Sequence, residues 1–353
     1  CVCVCVCVCV CVCVGVGGAC VSVPTCRCKK KMTTEDMRRQ WVHGLRYNDY
    51  QLGDLPLVCR DDPDIVAIAC ATSYFSFRHA TPRLKANRAF ILRVVRVDMT
   101  AFEYAALEFR RDRQVVLAAV SSVDTGGHYG AYSAYLPFVY VAPELQLDRG
   151  VVLAAVATHP YTLNLVDARF RADEEVVLAA VRTNGMMLAV AHPTVCASRA
   201  VVRVAVAQRA GSFVYASDEL RADRAFILSL VPPADANNRV GVTFEFDTDI
   251  FNVMFYAAPT LRADRAFVVS MMTATGDVTV LKAAATELRA DREFVRAVVA
   301  RWGDALQFAT PEVRADRAVV LAAVRNSGRA LAFAACTAGY SRCDDRELVR
   351  VAV

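Results

Sequence analysis

An all-α fold is predicted by this sequence of 353 residues: tandem helical repeats of about 25 residues forming an α-solenoid-like array. Three observations carry the prediction. One phrase recurs, an acidic or small polar residue, usually an arginine, then an apolar run such as Val-Val-Leu-Ala-Ala-Val. Its starts are Asp62, Asn87, Asp112, Asp148, Asp173, Ser198, Asp223, Asp264, Asp291, Asp316 and Asp345, and six of the ten steps are 25 residues. The apolar residues of each phrase fall three, four, seven and eight positions after the start, which is one stripe of a helix. Proline keeps the same register, since Pro82, Pro143, Pro193, Pro259 and Pro311 each stand five residues before the next start. A unit this short cannot bury its own stripe, so the core must run continuously between neighbours.

Within a unit the elements follow in order. The start residue is an N-cap whose side-chain oxygen accepts from the free N–H groups of the first helical turn, and Asn87 and Ser198 are expected to cap as Asp does. The run that follows makes a helix of about three turns, with Val151, Val152, Ala155 and Val156 as a typical buried stripe. Gly185, Gly276, Gly303 and Gly328 stand twelve residues after their starts, where a left-handed C-cap is expected. A second apolar pair at a spacing of three, Leu188 with Ala191, Leu306 with Ala309 and Leu331 with Ala334, predicts another, shorter helix. The proline then fits the first turn of a helix or a tight turn before the next cap. The competing reading makes Val-Val-Leu-Ala-Ala-Val a buried strand of a strand-containing solenoid; the alanines and the helix punctuation oppose it. A leucine-rich horseshoe lacks support because its Leu-x-Leu strand followed by Asn is missing.

Phrases such as "LRADRAFVV" from Leu261, "RADEEVVLAAVRTNG" from Arg171 and "VRADRAVVLAAVRNSGRALAFA" from Val313 make the chain resemble the helical repeat family called domain of unknown function 4116. The resemblance covers roughly Leu57 to Val353, and it implies a helical repeat without implying any activity, substrate or catalytic residue. The departures are Pro63 and Glu174 where Arg is usual, and Asn87 and Ser198 in place of Asp. Three segments are therefore expected: a leader over 1–31, an N-terminal lead-in over 32–56, and repeats over 57–353 with insertions near 125–140 and 232–250.

The leader opens with seven Cys-Val pairs, the product expected when a reading frame crosses a two-letter repeat of G and T. It is read as a gene-model artefact or a disordered low-complexity segment, with Met32 as the start. A membrane anchor is disfavoured by the strict period of two and the lack of a basic n-region. Ten of the fifteen cysteines lie at or before Cys28, and the remaining Cys59, Cys70, Cys196, Cys336 and Cys343 are odd in number and scattered. That pattern indicates reduced thiols and an intracellular, cytoplasmic protein. Arg27, Lys29, Lys30 and Lys31 supply +4 of the formal +5, so the rest of the chain is close to neutral.

Arginine occupies two columns, one directly after the start (Arg224, Arg265, Arg292, Arg317) and one two residues before it (Arg221, Arg262, Arg289, Arg314). With acids beside them, both columns are read as an ion-pair ladder in preference to a phosphate track for nucleic acid. The first insertion holds Tyr129, Tyr132, Tyr135 and Tyr140 among small residues, a composition suited to recognition, and Trp302 stands where other units carry small polar residues; these five are the candidate partner-binding positions. Glu245, Asp247 and Asp249 alternate in the second insertion but lack a calcium-loop pattern. Neither Cys20, Cys26 and Cys28 nor the five histidines show metal-ligand pairing, and the histidines, in or near turns, are expected to be solvated. No catalytic, cofactor-binding or metal residue is assigned. The expected function is a scaffold for an unidentified protein partner, with no membrane role; the alternatives are an enzyme whose site the insertions form, or a nucleic-acid adaptor using the arginine columns.

Overall fold

The computed structural model describes residues 34–47, 49–73, 75–122, 136–231, 252–335 and 350–351. Every regular element among them is an α-helix or a 3-10 helix, and the chain divides into two compact units, Cys1–Phe90 and Ile91–Val353.

In the second unit a repeat is built from three pieces. A four-residue helix comes first, as in Pro143–Gln146, Pro193–Cys196, Pro259–Arg262 and Pro311–Arg314, with proline in its first turn, where the missing N–H removes no helical bond. A long helix follows the start residue: Arg149–Thr158, Glu174–Thr183, Arg199–Gln208, Arg265–Thr275, Arg292–Val299 and Arg317–Asn326. A 3-10 helix closes the unit, as in Gly185–Val190, Ala210–Tyr215, Gly303–Phe308 and Gly328–Phe333. This is the predicted second helix, in a tighter form. Consecutive long helices pack on one another, and the stripe at offsets three, four, seven and eight is sealed from water; Val176, Val177, Ala180 and Val181 are each 0% exposed. Each buried valine contributes about 1.5–3 kcal/mol against exposure, so the stripe outweighs every polar contact described below.

A single backbone hydrogen bond sets the register between repeats. At seven junctions the residue just before the proline position donates its N–H to the carbonyl two residues before the preceding start: Ala142 to Arg110 (3.0 Å), His192 to Arg171 (2.8 Å), Ser217 to Cys196 (3.0 Å), Ala258 to Arg221 (2.8 Å), Ala285 to Arg262 (2.9 Å), Thr310 to Arg289 (3.1 Å) and Ala335 to Arg314 (3.1 Å). The bonds at Ala142 and Ala258 close across the two long steps, so the proline register holds there as elsewhere. The start at Asp345 lies outside the described residues.

Two expectations about punctuation are corrected. Among the glycines twelve residues after a start, only Gly276 is a left-handed C-cap, with φ 68°. Gly185, Gly303 and Gly328 instead open the 3-10 helix after an extended residue. At the first two the requirement is proximity to the next repeat: a Cβ on Gly185 would lie 2.3 Å from the Ala205 carbonyl oxygen, and one on Gly303 would lie 2.6 Å from that of Ala323. The N–H groups freed at this break are taken by the next long helix, Gly185 donating to Gln208 Oε1 (2.9 Å) and Gly303 to Asn326 Oδ1 (2.8 Å). Ser198, the second correction, makes no side-chain cap bond.

The first unit shows the same repeat preceded by the helix Thr34–Arg46, which packs on the long helix Pro63–Thr72. Asp62 caps that helix through Asp64 N–H and Ile65 N–H, and Thr81 N–H donates to Arg60 C=O at 3.1 Å, the same register bond.

Candidate functional site

The start aspartates each do two jobs. In Asp148, Oδ1 accepts from Gly150 N–H (2.8 Å) and Val151 N–H (3.1 Å), while Oδ2 accepts from Arg113 Nε (2.8 Å) of the preceding repeat. Asp173 is held alike by Arg149 at 2.7 Å, Asp264 by Arg224 at 3.5 Å and Asp316 by Arg292 at 3.5 Å; Asp223 pairs with Arg199 and Asp291 with Arg265. The arginine after a start therefore clamps the next start, and the predicted ladder exists in this column. In the first unit Arg38 of the leading helix takes the same part, pairing with Asp62 at 2.9 Å. The arginine partners Arg113 and Arg149, followed by the bonds from backbone N–H groups, hold the Asp148 and Asp173 carboxyls below the usual carboxylate range.

The exceptions come as matched pairs. Glu174 replaces the clamping arginine, and the start it faces is Ser198, whose hydroxyl donates to Glu174 Oε1 at 2.7 Å. That bond occupies the hydroxyl that would have capped. Pro63 likewise precedes the start Asn87, which keeps its cap through Phe90 N–H at 3.1 Å.

The other arginine column is not a ladder, which corrects the reading given to both. Arg221 pairs with Asp218 of its own helix. Arg110, Arg262, Arg289 and Arg314 have no carboxylate partner among the described residues; Arg110 donates to the Glu103 carbonyl, Arg289 to Thr286 Oγ1 and Arg314 to the Phe333 carbonyl. All five, with Arg60 of the first unit, bury an Nε that has no hydrogen-bond partner. The stems are sunk in the packing, and only the terminal nitrogens reach a neighbour or solvent.

Beside this column runs a second one that sequence reasoning missed. Two residues before each register donor stand Tyr140, Val190, Tyr215, Tyr256, Ala283, Phe308 and Phe333, at the end of the trailing segment. All but Ala283 are partly or well exposed. Counting from the donor residue instead of from the start would have revealed it, because the long steps break the count from the start. Tyr140, a candidate from the sequence, belongs here: Arg110 Cζ lies 5.2 Å from its ring centroid, and burial, followed by a hydrogen bond to Glu103, raises its hydroxyl above the ordinary tyrosine range. Trp302 is also partly exposed, with Arg301 Cζ 4.6 Å from its ring centroid, and stands apart from this column. Tyr129, Tyr132 and Tyr135 lie outside the described residues, as do Glu245, Asp247 and Asp249 and the leader cysteines.

Two polar residues are buried, one of them against expectation. His159, expected in solvent, is 8% exposed with Nε2 3.0 Å from the Ser122 carbonyl. Asp98 is fully buried; its Oδ1 accepts from Thr100 N–H (2.9 Å) and Thr100 Oγ1 (2.6 Å), Oδ2 has no partner, and burial pushes the carboxyl up to about 6. Cys59, Cys70 and Cys196 are buried cysteines, and burial raises the thiols of Cys59 and Cys196 above their ordinary range. Among the described residues no group of three or more His, Cys, Asp or Glu is placed to hold a metal ion, and no helix is long and apolar enough to cross a membrane.

Residues 148–194 and 291–335 match the family described as Domain of unknown function (DUF4116). No curated protein and no solved structure matches the chain. The matched stretches, about a quarter of the chain, are repeats whose cap, long helix and 3-10 helix are described above, and over them the chain is similar to that helical-repeat family.

Proposed function

We propose that the array is a non-catalytic scaffold that binds a protein partner through its ring and arginine columns. The observation that carries this reading is the composition of the surface beside the register bonds: Tyr140, Phe308 and Phe333, partly exposed, stand at the junctions of Arg110, Arg289 and Arg314, which have no carboxylate partner among the described residues, and Tyr215 and Tyr256 continue the ring column. Tyrosine and arginine are the side chains that most often anchor protein interfaces, because each combines a large contact area with directed polar groups. The clamping arginines, by contrast, are spent on the caps. Tyr129, Tyr132, Tyr135 and Trp302 are proposed as further contacts of the same partner. Affinity capture with the full chain tests the reading, repeated with Tyr140, Tyr215 and Phe308 changed to Ser. A partner held by the first and lost by the second is expected; capture that the triple change leaves undiminished, or no specific partner at all, would count against it.

A nucleic-acid adaptor is the second reading, favoured by the same interleaving of rings with unpaired arginines. Against it, the aspartate clamp pairs Arg113, Arg149, Arg199, Arg224, Arg265 and Arg292 of the other column with carboxylates. Binding of single-stranded RNA that weakens steeply with added salt would put it first.

A further inference from the structure

One member of the ring column is too small. Ala283 stands two residues before the register donor Ala285, the place held by Tyr140 before Ala142, by Tyr256 before Ala258 and by Phe308 before Thr310. Where the Tyr140 ring lies against Arg110, Ala283 has nothing to set against Arg262, and a groove of about 470 Å³ opens there. Its lining includes Arg262, Arg289, Lys282, Glu287 and Phe255 together with Ala283. Arg262 and Arg289 have no carboxylate partner among the described residues, and their buried Nε atoms fix the two stems in place. Phe255 is 45% exposed and lies under Arg262, whose Cζ is 5.9 Å from the ring centroid.

We propose that this groove binds a phosphate monoester that carries an aromatic ring, the ring supplying the side chain missing at Ala283 and the phosphate meeting Arg262 and Arg289. Arg262 and Arg289 set two guanidinium groups on the groove, which suits a phosphate monoester dianion better than a single carboxylate. Guanidinium groups bond phosphate oxygens in pairs, and those on fixed stems lose little freedom in doing so. The volume is that of a site for one small molecule, and the walls of alanine, proline and phenylalanine suit a flat apolar carrier. The ring could be that of a free nucleotide or of a phosphorylated tyrosine side chain, two sources of the same chemistry. The site shares Arg262 and Arg289 with the arginine column of the scaffold reading, and the two can be tested apart because Tyr140, Tyr215 and Phe308 do not line it.

Isothermal titration calorimetry of the full chain at low salt, with phenyl phosphate, adenosine monophosphate, phosphotyrosine amide and inorganic phosphate, tests the proposal. Phenyl phosphate is expected to bind at one site and inorganic phosphate about tenfold more weakly, having no ring to bury. Arg262→Gln and Arg289→Gln should each weaken phenyl phosphate by about tenfold, the usual effect of removing a charged hydrogen-bond partner. Arg199→Gln, in the clamping column, should change nothing. Ala283→Tyr restores the column residue and should abolish binding; should that variant fail to fold, the two glutamine variants decide alone. Whichever of adenosine monophosphate and phosphotyrosine amide binds more tightly identifies the source. Absence of phenyl phosphate binding, or affinity unchanged in Arg262→Gln and Arg289→Gln, would overturn the proposal.

Discussion

Exchanging Glu174 and Ser198 for the residues used elsewhere tests whether clamp and cap are one device. Ser198→Asp alone restores an N-cap that Ser198 does not make, a gain of about 1 kcal/mol. It also sets a carboxylate against Glu174, whose Oε1 is 2.7 Å from the Ser198 hydroxyl, and that repulsion cancels much of the gain. Glu174→Arg alone loses the bond to Ser198 and an acidic residue in the first helical turn, a cost of about 1 kcal/mol. Together the changes build the Arg–Asp clamp found between Arg149 and Asp173. An exposed pair contributes about 0.2–1 kcal/mol, and relief of the repulsion adds a similar amount, so the two changes should couple by about 1–2 kcal/mol. A double-mutant cycle by urea denaturation reads this directly. Effects that add to within about 0.3 kcal/mol would refute the reasoning.

Other outcomes follow from the same geometry. Gly185→Ala and Gly303→Ala drive a methyl group into the Ala205 and Ala323 carbonyls and should each cost about 1–3 kcal/mol. Gly211→Ala, with nothing within 4 Å of the new carbon, should be neutral, and thermal denaturation of the three separates them. Asp98 ionises near 3.8 in the unfolded chain and about 6 in the fold, so the folded state holds its proton more tightly. The native state is favoured below about pH 4 and loses about 3 kcal/mol as pH rises through 6. Asp98→Asn should therefore raise stability by up to about 3 kcal/mol above pH 6 and by none below about pH 4; a gain independent of pH in denaturation curves would contradict this.

Much of the fold is legible in the sequence because its signals are local. Asp148 as a cap, Val151 to Val156 as a buried stripe and Pro143 as a first-turn residue each follow from a few neighbouring side chains. The role of Gly185 is not local, since what excludes a side chain there is the Ala205 carbonyl of the next repeat. Ser198 departs from the expected cap for the same reason: its partner Glu174 lies 24 positions away in the preceding repeat. The candidate surface was least legible. Tyr140 was noticed for its tyrosine-rich company, whereas its structural company is Tyr215, Tyr256 and Phe308, which a count from the start residues scatters across the long steps. The two arginine columns look alike in sequence, and only the fold shows that one is clamped to aspartate and the other is not.

One register bond recurs at seven junctions of the second unit, including those at the long steps. Residue-resolved amide hydrogen exchange tests it at Ala142, His192, Ser217, Ala258, Ala285, Thr310 and Ala335. The seven amides should be protected as a set, with Ala142 and Ala258 as slow as His192 and Ser217. Rapid exchange at Ala142 and Ala258 beside protected amides at the other five would contradict it, and would mean that the array is broken where the long steps occur.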